Sequence, residues 1–206
     1  MSFIKKNILI VIIIIFHLIG FIGFMMNPVY FKPLSPVNLL LSTVLVLMAS
    51  SQTNWKFYGA ILSVAISGFL IEVIGVKTGL IFGVYHYGNS LGYKVFGVPL
   101  LIGINWGVLL YSTSQLSKIK NTLLNALLGA FYMVALDFFI EQNAAKFDFW
   151  HWNLGIIPLQ NYIAWFFISF ILNLLSQKQF VQKPNNTAKA FYIVQIIFFA
   201  ALYWFN

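Results

Sequence analysis

Long apolar runs alternate with short polar connections along the whole chain. Seven of these runs approach the roughly 20 residues that an α-helix needs to cross a bilayer. In chain order they are 8–26, 36–51, 57–75, 97–116, 123–143, 156–176 and 190–205. The pattern therefore predicts an all-α fold, a polytopic membrane bundle of about seven transmembrane helices.

The connections between the runs are too short to form a second domain, and no repeat at a fixed period is evident. We therefore expect a single integral membrane domain over residues 1–206. The first run follows Lys5 and Lys6, as in a signal peptide, but it is long for one and lacks a small-residue cleavage site. We expect this run to be retained as a membrane anchor.

Composition supports the membrane assignment. The chain has 206 residues, of which 61% are hydrophobic and 8% charged. A soluble domain is about a quarter charged, so this balance excludes an ordinary soluble globule, and it also excludes a disordered chain. The absence of cysteine excludes a disulfide scaffold, thiolate catalysis and cysteine-ligated metal sites. We expect a multi-pass protein of the cell membrane.

The formal net charge of +8 comes from twelve lysines and four acids. The lysines lie singly or in pairs at the ends of apolar runs, which indicates membrane boundaries and excludes a continuous nucleic-acid-binding face. A cytoplasmic N-terminus is favoured, because it places eight lysines inside and four outside. The inner set is Lys5, Lys6, Lys56, Lys118, Lys120, Lys178, Lys183 and Lys189, and the outer set is Lys32, Lys77, Lys94 and Lys146.

Three of the four acids lie within apolar runs. Glu72 is near the far end of the third run, and Asp137 and Glu141 are in the far half of the fifth. Because these two runs cross in the same direction, all three acids belong to one half of the membrane. Acids inside membrane spans are energetically costly and usually mark a functional site. The alternative is that each acid pairs with a lysine at the interface, the candidates being Lys77, Lys94 and Lys146.

Asp137 and Glu141 are four residues apart, so they lie one turn apart on the same helix face. Two carboxylates at this spacing repel each other in a medium of low dielectric constant, and we expect one of them to keep its proton at neutral pH. A buried, protonated carboxyl group is what general-acid catalysis requires.

The histidines are fewer and more scattered. His86 and His151 lie in the two loops on the same side as the acids, where either one is a candidate proton shuttle. His17 stands alone in the first run, and we expect it to pack or form a hydrogen bond. The sequence has neither the ligand spacing of a metal site nor a nucleotide-binding loop, so we expect neither metal nor cofactor.

Aromatic residues surround the candidate acids and histidines. Tyrosines flank His86, tryptophans flank His151, and two further tryptophans lie near the acids; these are Tyr85, Tyr87, Trp150, Trp152, Trp106 and Trp165. Aromatic faces stabilise a cation that has been removed from water. Beside a protonated carboxyl group, they suit the protonation of an alkene to a carbocation.

Two blocks of sequence carry a family resemblance. The first block is EVIGVKTGLIFGVYHYG from Glu72, continuing to Gly97-Val-Pro-Leu and Trp106; the second is DFFIE from Asp137, then FWHW and IPLQNYIAW. They resemble the carotenoid biosynthesis protein family, whose characterised members are carotenoid 1,2-hydratases, including bisanhydrobacterioruberin hydratases. The resemblance covers about residues 68–168, and the first two runs and the last match only as apolar helices. Gln142 and Ala164 depart from the family pattern, at positions that affect helix shape.

The resemblance implies a cofactor-free addition of water to the terminal 1,2 double bond of an acyclic carotenoid ψ-end. It implies that Glu72, Asp137 and Glu141 are catalytic. The implied substrate-binding residues are Tyr85, Tyr87, Trp106, Trp150, Trp152 and Asn161. The implied partners are a membrane-dissolved carotenoid, water, the lipid bilayer and other carotenoid enzymes.

Three alternatives remain open from the sequence. A small carotenoid cyclase would use the same proton-initiated chemistry but exclude water. A proton-coupled transporter would also need intramembrane acids, although the absence of a visible repeat counts against it. A scaffold for other pigment enzymes would use the acids only structurally.

Overall fold

The computed structural model describes residues 3–52, 54–117 and 119–205, with side chains from residue 7 onward. Its helices are α1 Phe3–Met26, α2 Pro28–Phe31, α3 Ser35–Ala49, α4 Trp55–Thr78, α5 Leu100–Ser114, α6 Thr122–Ala144, α7 Leu159–Phe180 and α8 Asn186–Phe205, with a 3-10 turn at Lys32–Leu34. The prediction of an all-α polytopic bundle is confirmed. Lys118 and the side chains of Lys5 and Lys6 lie outside the described residues, and the cytoplasmic N-terminus stays a prediction.

Each of the seven predicted runs coincides with a helix. Six segments of the described chain are long and apolar enough to cross a membrane, and one of them joins α2, the 3-10 turn and α3 as Pro28–Met48. The exception is α5, which has 15 residues. It begins at Leu100 rather than at residue 97, because the chain before it is extended and Pro99 occupies the N-cap position.

Asparagine residues cap the N-termini of the two helices that carry the acids. Asn54 Oδ1 accepts a hydrogen bond from the Phe57 amide at 2.8 Å at the start of α4. Asn121 Oδ1 accepts one from the Leu124 amide at 3.0 Å at the start of α6. Both bonds satisfy an amide that has no partner within its helix, so both helix starts are encoded locally.

Two short antiparallel ladders lie in the loops on the acid side. Strand β1, Tyr85–Tyr87, pairs with β4, Trp150–Trp152, and His86 is opposite His151. Strands β2, Lys94–Val95, and β3, Val98–Pro99, form a separate hairpin. Because side chains alternate along a strand, β1 and β4 direct their tyrosines and tryptophans to one face and their histidines to the other.

The order helix, strand, helix occurs twice, as α4–β1–α5 and again as α6–β4–α7. In the first unit the buried Phe82 follows Glu72 by ten residues, and in the second the buried Phe147 follows Asp137 by ten residues. Strands β1 and β4, each with the pattern aromatic-His-aromatic, begin the same number of residues after the acid of their unit. The two units therefore form an internal repeat without a fixed period, because few residues are identical between them and the β2–β3 hairpin lies only in the first unit.

The second helices of the two units correspond as well. Both α5 and α7 follow a Pro-Leu start, and each carries a tryptophan seven residues after its proline, Trp106 and Trp165. The two indole rings stack with their centroids 4.2 Å apart. Helices α4 and α6 each pack against both α5 and α7. Together with the β1–β4 pairing, these contacts place equivalent elements of the two units against each other.

The two repeated units together form a core, here called the repeated core, and helices α1, α3 and α8 close one side of it. Helix α8 packs against α1, α3, α5 and α6, and α3 packs against α1 and α5. These contacts leave a space between the repeated core and α1, α3 and α8.

Candidate functional site

All three intramembrane acids line one cavity of about 340 Å³. Glu72 comes from α4, and Asp137 and Glu141 come from α6, so the two corresponding helices of the repeat supply the acids. Their exposed fractions are 3%, 1% and 6%, respectively. The cavity wall is otherwise mainly apolar and aromatic, and it includes the stacked Trp106 and Trp165.

Glu72 accepts three hydrogen bonds from aromatic side chains. The hydroxyl groups of Tyr85 and Tyr87 donate to Oε2 at 2.5 and 2.8 Å. The indole N–H of Trp106 donates to Oε1 at 3.1 Å. Strand β1 supplies the two phenols and α5 supplies the indole, so two other segments of the chain hold this one carboxyl group.

The two phenols are held as donors. Burial, and the neighbouring charge of Glu72, raise the pKa of Tyr85 and that of Tyr87 above the ordinary phenol value. Both hydroxyl groups therefore keep their protons and continue to donate to Glu72 throughout the physiological pH range.

Glu141 also accepts three hydrogen bonds. The indole N–H groups of Trp150 and Trp152 donate to Oε2 at 3.0 and 2.8 Å. The side-chain amide of Asn161, in the first turn of α7, donates to Oε1 at 3.0 Å. Strand β4 thus supplies two hydrogen-bond donors to Glu141, as β1 supplies two donors to Glu72.

Asp137 has a different environment. Asn161 Nδ2 donates its other hydrogen to Asp137 Oδ2 at 3.0 Å, so this amide bridges the two acids of α6. Within the described part of the chain, Asp137 Oδ1 is buried without a hydrogen-bond partner. One oxygen of Asp137 is therefore the unsatisfied polar atom of the acid cluster.

The donors that reach the three acids are neutral phenols, indoles and an amide. Lys94 Nζ instead donates to Tyr87 O at 2.7 Å and to Asn89 Oδ1 at 3.1 Å. Lys77 Nζ lies 4.7 Å from the centre of the Phe96 ring. These contacts do not support the alternative in which Lys77 or Lys94 neutralises an intramembrane acid.

His86 and His151 lie on the outer face of the β1–β4 ladder, opposite the rings that contact the acids. They stack with ring centroids 5.4 Å apart, and His151 Nε2 is 2.9 Å from Asp148 Oδ1. The hydrogen bonds of Asp148 with His151 and with the Asn89 amide lower the pKa of its carboxyl group. The structure does not bring either histidine to the acid cluster, and their role as a shuttle stays a prediction.

No three His, Asp or Glu side chains in residues 3–52, 54–117 and 119–205 are arranged to hold a metal ion. His17, expected to pack or form a hydrogen bond, has its Nδ1 2.8 Å from Ile13 O and its Nε2 3.1 Å from Gln195 Nε2. Its imidazole also lines the cavity, at the side of α1 and α8.

Four further polar residues of the cavity wall were not predicted from the sequence. Ser35 and Asn38 from α3 and Gln195 from α8 line the cavity from outside the repeated core, and Asn105 lines it from α5. Ser35 Oγ and Asn38 Oδ1 are buried and, among the described residues, lack hydrogen-bond partners. Polar residues inside apolar runs were the available signal, but only the packing of α1, α3 and α8 brings them to the acids.

The cavity opens between α1 and the start of α3. Ile19 and Val37 line it from these two sides, and they are 51% and 57% exposed. Leu34 and Phe16 line it and are also exposed. Because these residues belong to segments long and apolar enough to cross a membrane, we expect this mouth to face lipid.

The family model described as carotenoid biosynthesis protein matches residues 34–205. This match extends beyond the 68–168 core of the sequence resemblance and includes α3 and α8, which complete the cavity wall. No curated protein and no solved structure matches the chain.

Proposed function

Because the chain belongs to the carotenoid biosynthesis protein family, we propose that it is a cofactor-independent hydratase of an acyclic carotenoid. It adds water to the terminal 1,2 double bond of a ψ-end and yields a tertiary alcohol. The observation that carries this proposal is the set of three buried carboxyl groups in an otherwise apolar, aromatic cavity that opens to lipid. The apolar wall suits a hydrocarbon substrate, and the acids supply the proton transfer that the reaction requires.

The proposed reaction begins with general-acid catalysis. A protonated carboxyl group of α6, Asp137 or Glu141, delivers its proton to the alkene and leaves a tertiary cation. Aromatic faces stabilise this cation, as does the negative charge of an ionised carboxylate. Water then adds to the cation and loses a proton to Glu72 or to the acid that has just reacted. Tyr85, Tyr87, Trp106, Trp150, Trp152 and Asn161 position these groups.

The size and the mouth of the cavity agree with a long, lipid-dissolved substrate. A cavity of about 340 Å³ is near the lower limit for small-molecule sites. It accommodates the end of a polyene, while the rest of the chain extends between α1 and α3 into the bilayer. We propose that the substrate enters by this route and that the reaction takes place at its end.

The internal repeat reopens the transporter alternative, because many transporters are built from repeats. Transporter sites, however, are typically formed by discontinuous helices near the middle of the membrane. Here α4, α5, α6 and α7 each run without interruption, and the acids lie towards one end of their helices. A cyclase would use the same acids, but Asn105, Asn38 and Ser35 give this cavity polar groups that can hold water.

Product analysis separates these functions. Purified protein incubated with lycopene in isotopically labelled water is expected to form 1-hydroxylycopene, with the mass of one labelled water added. A product of unchanged mass containing a ring would identify a cyclase. Proton flux in proteoliposomes without carotenoid, with no product formed, would identify a transporter. The Glu72→Gln/Asp137→Asn double variant is expected to be inactive, and full activity in this variant would exclude the mechanism.

Narrowing the lipid-facing mouth should impair substrate access without affecting the chemistry. Val37→Trp is expected to raise KM about tenfold while kcat changes little, because the added indole lies in the mouth and not at the acids. Val44→Trp is the matched control: it lies on the same helix, is 52% exposed and is not part of the cavity wall. Equal KM values for the two variants would place substrate access elsewhere.

A further inference from the structure

The three acids differ in the number of hydrogen bonds that their oxygens accept, and this difference indicates which of them carries a proton. Glu72 and Glu141 each accept three hydrogen bonds, which occupy both oxygens of each group. A proton added to either group would occupy a lone pair of an oxygen that already accepts a hydrogen bond. Both sites are therefore built for a carboxylate, which accepts hydrogen bonds and has none to donate.

Asp137 presents the opposite arrangement. Asn161 donates to Oδ2, and Oδ1 is buried and, among the described residues, has no partner. A carboxylate there would leave a charged oxygen in an apolar cavity without a donor, which is strongly unfavourable. A proton on Oδ1 removes that charge and leaves one O–H group as a donor in the cavity.

The internal repeat explains why Asp137 is the exception. Glu72 and Asp137 occupy the same position in the two units, and the following strands begin the same number of residues later. In the first unit, the strand donors Tyr85 and Tyr87 bind Glu72. In the second unit, the corresponding strand donors bind Glu141, which is one helical turn further along α6. Glu141 thus takes the donors that the repeat would otherwise bring to Asp137.

We propose that Asp137 is the proton donor of the reaction, through Oδ1, and that Glu72 and Glu141 are fixed carboxylates that stabilise the cation. This assignment rests on the proposed hydratase function and chooses among the acids that it leaves open. The alkene π electrons form a C–H bond with the Asp137 proton at the less substituted carbon, and the O–H electron pair remains on Asp137. A water oxygen forms the C–O bond to the tertiary cation, and one proton of that water returns to Asp137. The cycle closes without a cofactor or a second acid.

The assignment predicts that carboxyl-to-amide variants of the cavity acids differ from one another in stability as well as in activity. Asp137→Asn replaces a neutral O–H donor by a neutral N–H donor, so it is expected to retain the thermal unfolding midpoint of the wild type. Glu141→Gln directs an amide N–H group towards indole and amide donors and is expected to lower this midpoint. Asp148→Asn is a matched control outside the cavity, at a positive φ of 58° that asparagine tolerates.

The test combines thermal unfolding, infrared spectroscopy and product formation in the purified full-length protein. We expect the C=O stretch of a buried protonated carboxyl group in the wild type, in Asp148→Asn and in Glu141→Gln, and its loss in Asp137→Asn. Hydration by Asp137→Asn should fall about 10³-fold, in the range for loss of a general acid, and Asp148→Asn should keep the wild-type rate. The proposal is overturned if the band survives in Asp137→Asn, or if this variant retains hydration. If the wild type fails to hydrate lycopene but Asp137→Asn removes the band, the proposed function is wrong and the proton assignment stands.

Discussion

Glu72→Gln is expected to lower the rate of hydration by about 10³-fold, through loss of a negative charge that faces the developing cation. The substitution is nearly isosteric, so the cavity keeps its shape. Its effect on hydrogen bonding is severe, because Oε2 accepts two phenol O–H groups and Oε1 accepts an indole N–H. In one orientation the new amide N–H group meets the indole N–H, and in the other it replaces the oxygen that accepts both phenol protons. Each buried donor left unsatisfied costs about 1–3 kcal/mol.

The rate of product formation and the thermal unfolding midpoint should both be measured for Glu72→Gln. Glu72→Asp should be compared with Glu72→Gln, because it retains the negative charge on a shorter side chain. We expect it to retain more activity than Glu72→Gln. Asp148→Asn makes the same carboxyl-to-amide change outside the cavity and controls for loss of charge as such. A Glu72→Gln protein that hydrates at more than a tenth of the wild-type rate would remove Glu72 from the mechanism.

Gly68→Ala is expected to reduce both stability and activity, although glycine has no side chain that could contact an acid. A Cβ at this position would lie 2.6 Å from Trp106 Cβ and 2.8 Å from Trp106 Cδ1, which belong to a fully buried side chain. Trp106 must shift, and the shift disturbs its bond to Glu72 and its stacking on Trp165. Overpacking of this kind costs about 1–3 kcal/mol in the free energy of unfolding. We expect the hydration rate to fall at least about tenfold, since small displacements of catalytic groups are costly.

Gly59→Ala provides the matched control for Gly68→Ala, because it makes the same change in the same helix. A Cβ at residue 59 would have no neighbour within 4 Å. Alanine is favoured over glycine inside a helix by about 0.5–1 kcal/mol, so this variant is expected to be at least as stable as the wild type. Thermal unfolding and product formation compare the two. Indistinguishable behaviour would show that α4 and α5 tolerate a wider separation than their packing indicates.

Much of the helical architecture was predictable because it depends on local sequence. A membrane-spanning helix satisfies its own backbone hydrogen bonds, so an apolar run of sufficient length is enough to predict one. The two asparagine caps and the proline before α5 act over three or four residues. The convergence of Glu72 with Asp137 and Glu141 also followed from sequence, since the direction of each helix follows from counting the crossings.

The β1–β4 ladder could not be predicted, because three-residue strands carry little periodic signal and their pairing spans many residues. From the sequence, His86 was a candidate proton shuttle because its loop lies on the same side as the acids. Pairing with β4 places His86 on the opposite face from Tyr85 and Tyr87. The internal repeat was missed for a related reason, since its units share geometry and spacing more than residue identity.

The sequence by itself determined that this is a polytopic helical membrane protein, with three of its four acids towards corresponding ends of two helices. Those conclusions depend on hydrophobic transfer and helix geometry, which act locally along the chain. Only the tertiary structure decided what distinguishes the acids from one another. Glu72, Asp137 and Glu141 are equally acidic in sequence, but they differ in how many donors the ladder, α5 and α7 direct towards them. Hydrogen bonds between distant segments set that number, because each depends on the packing of several helices at once.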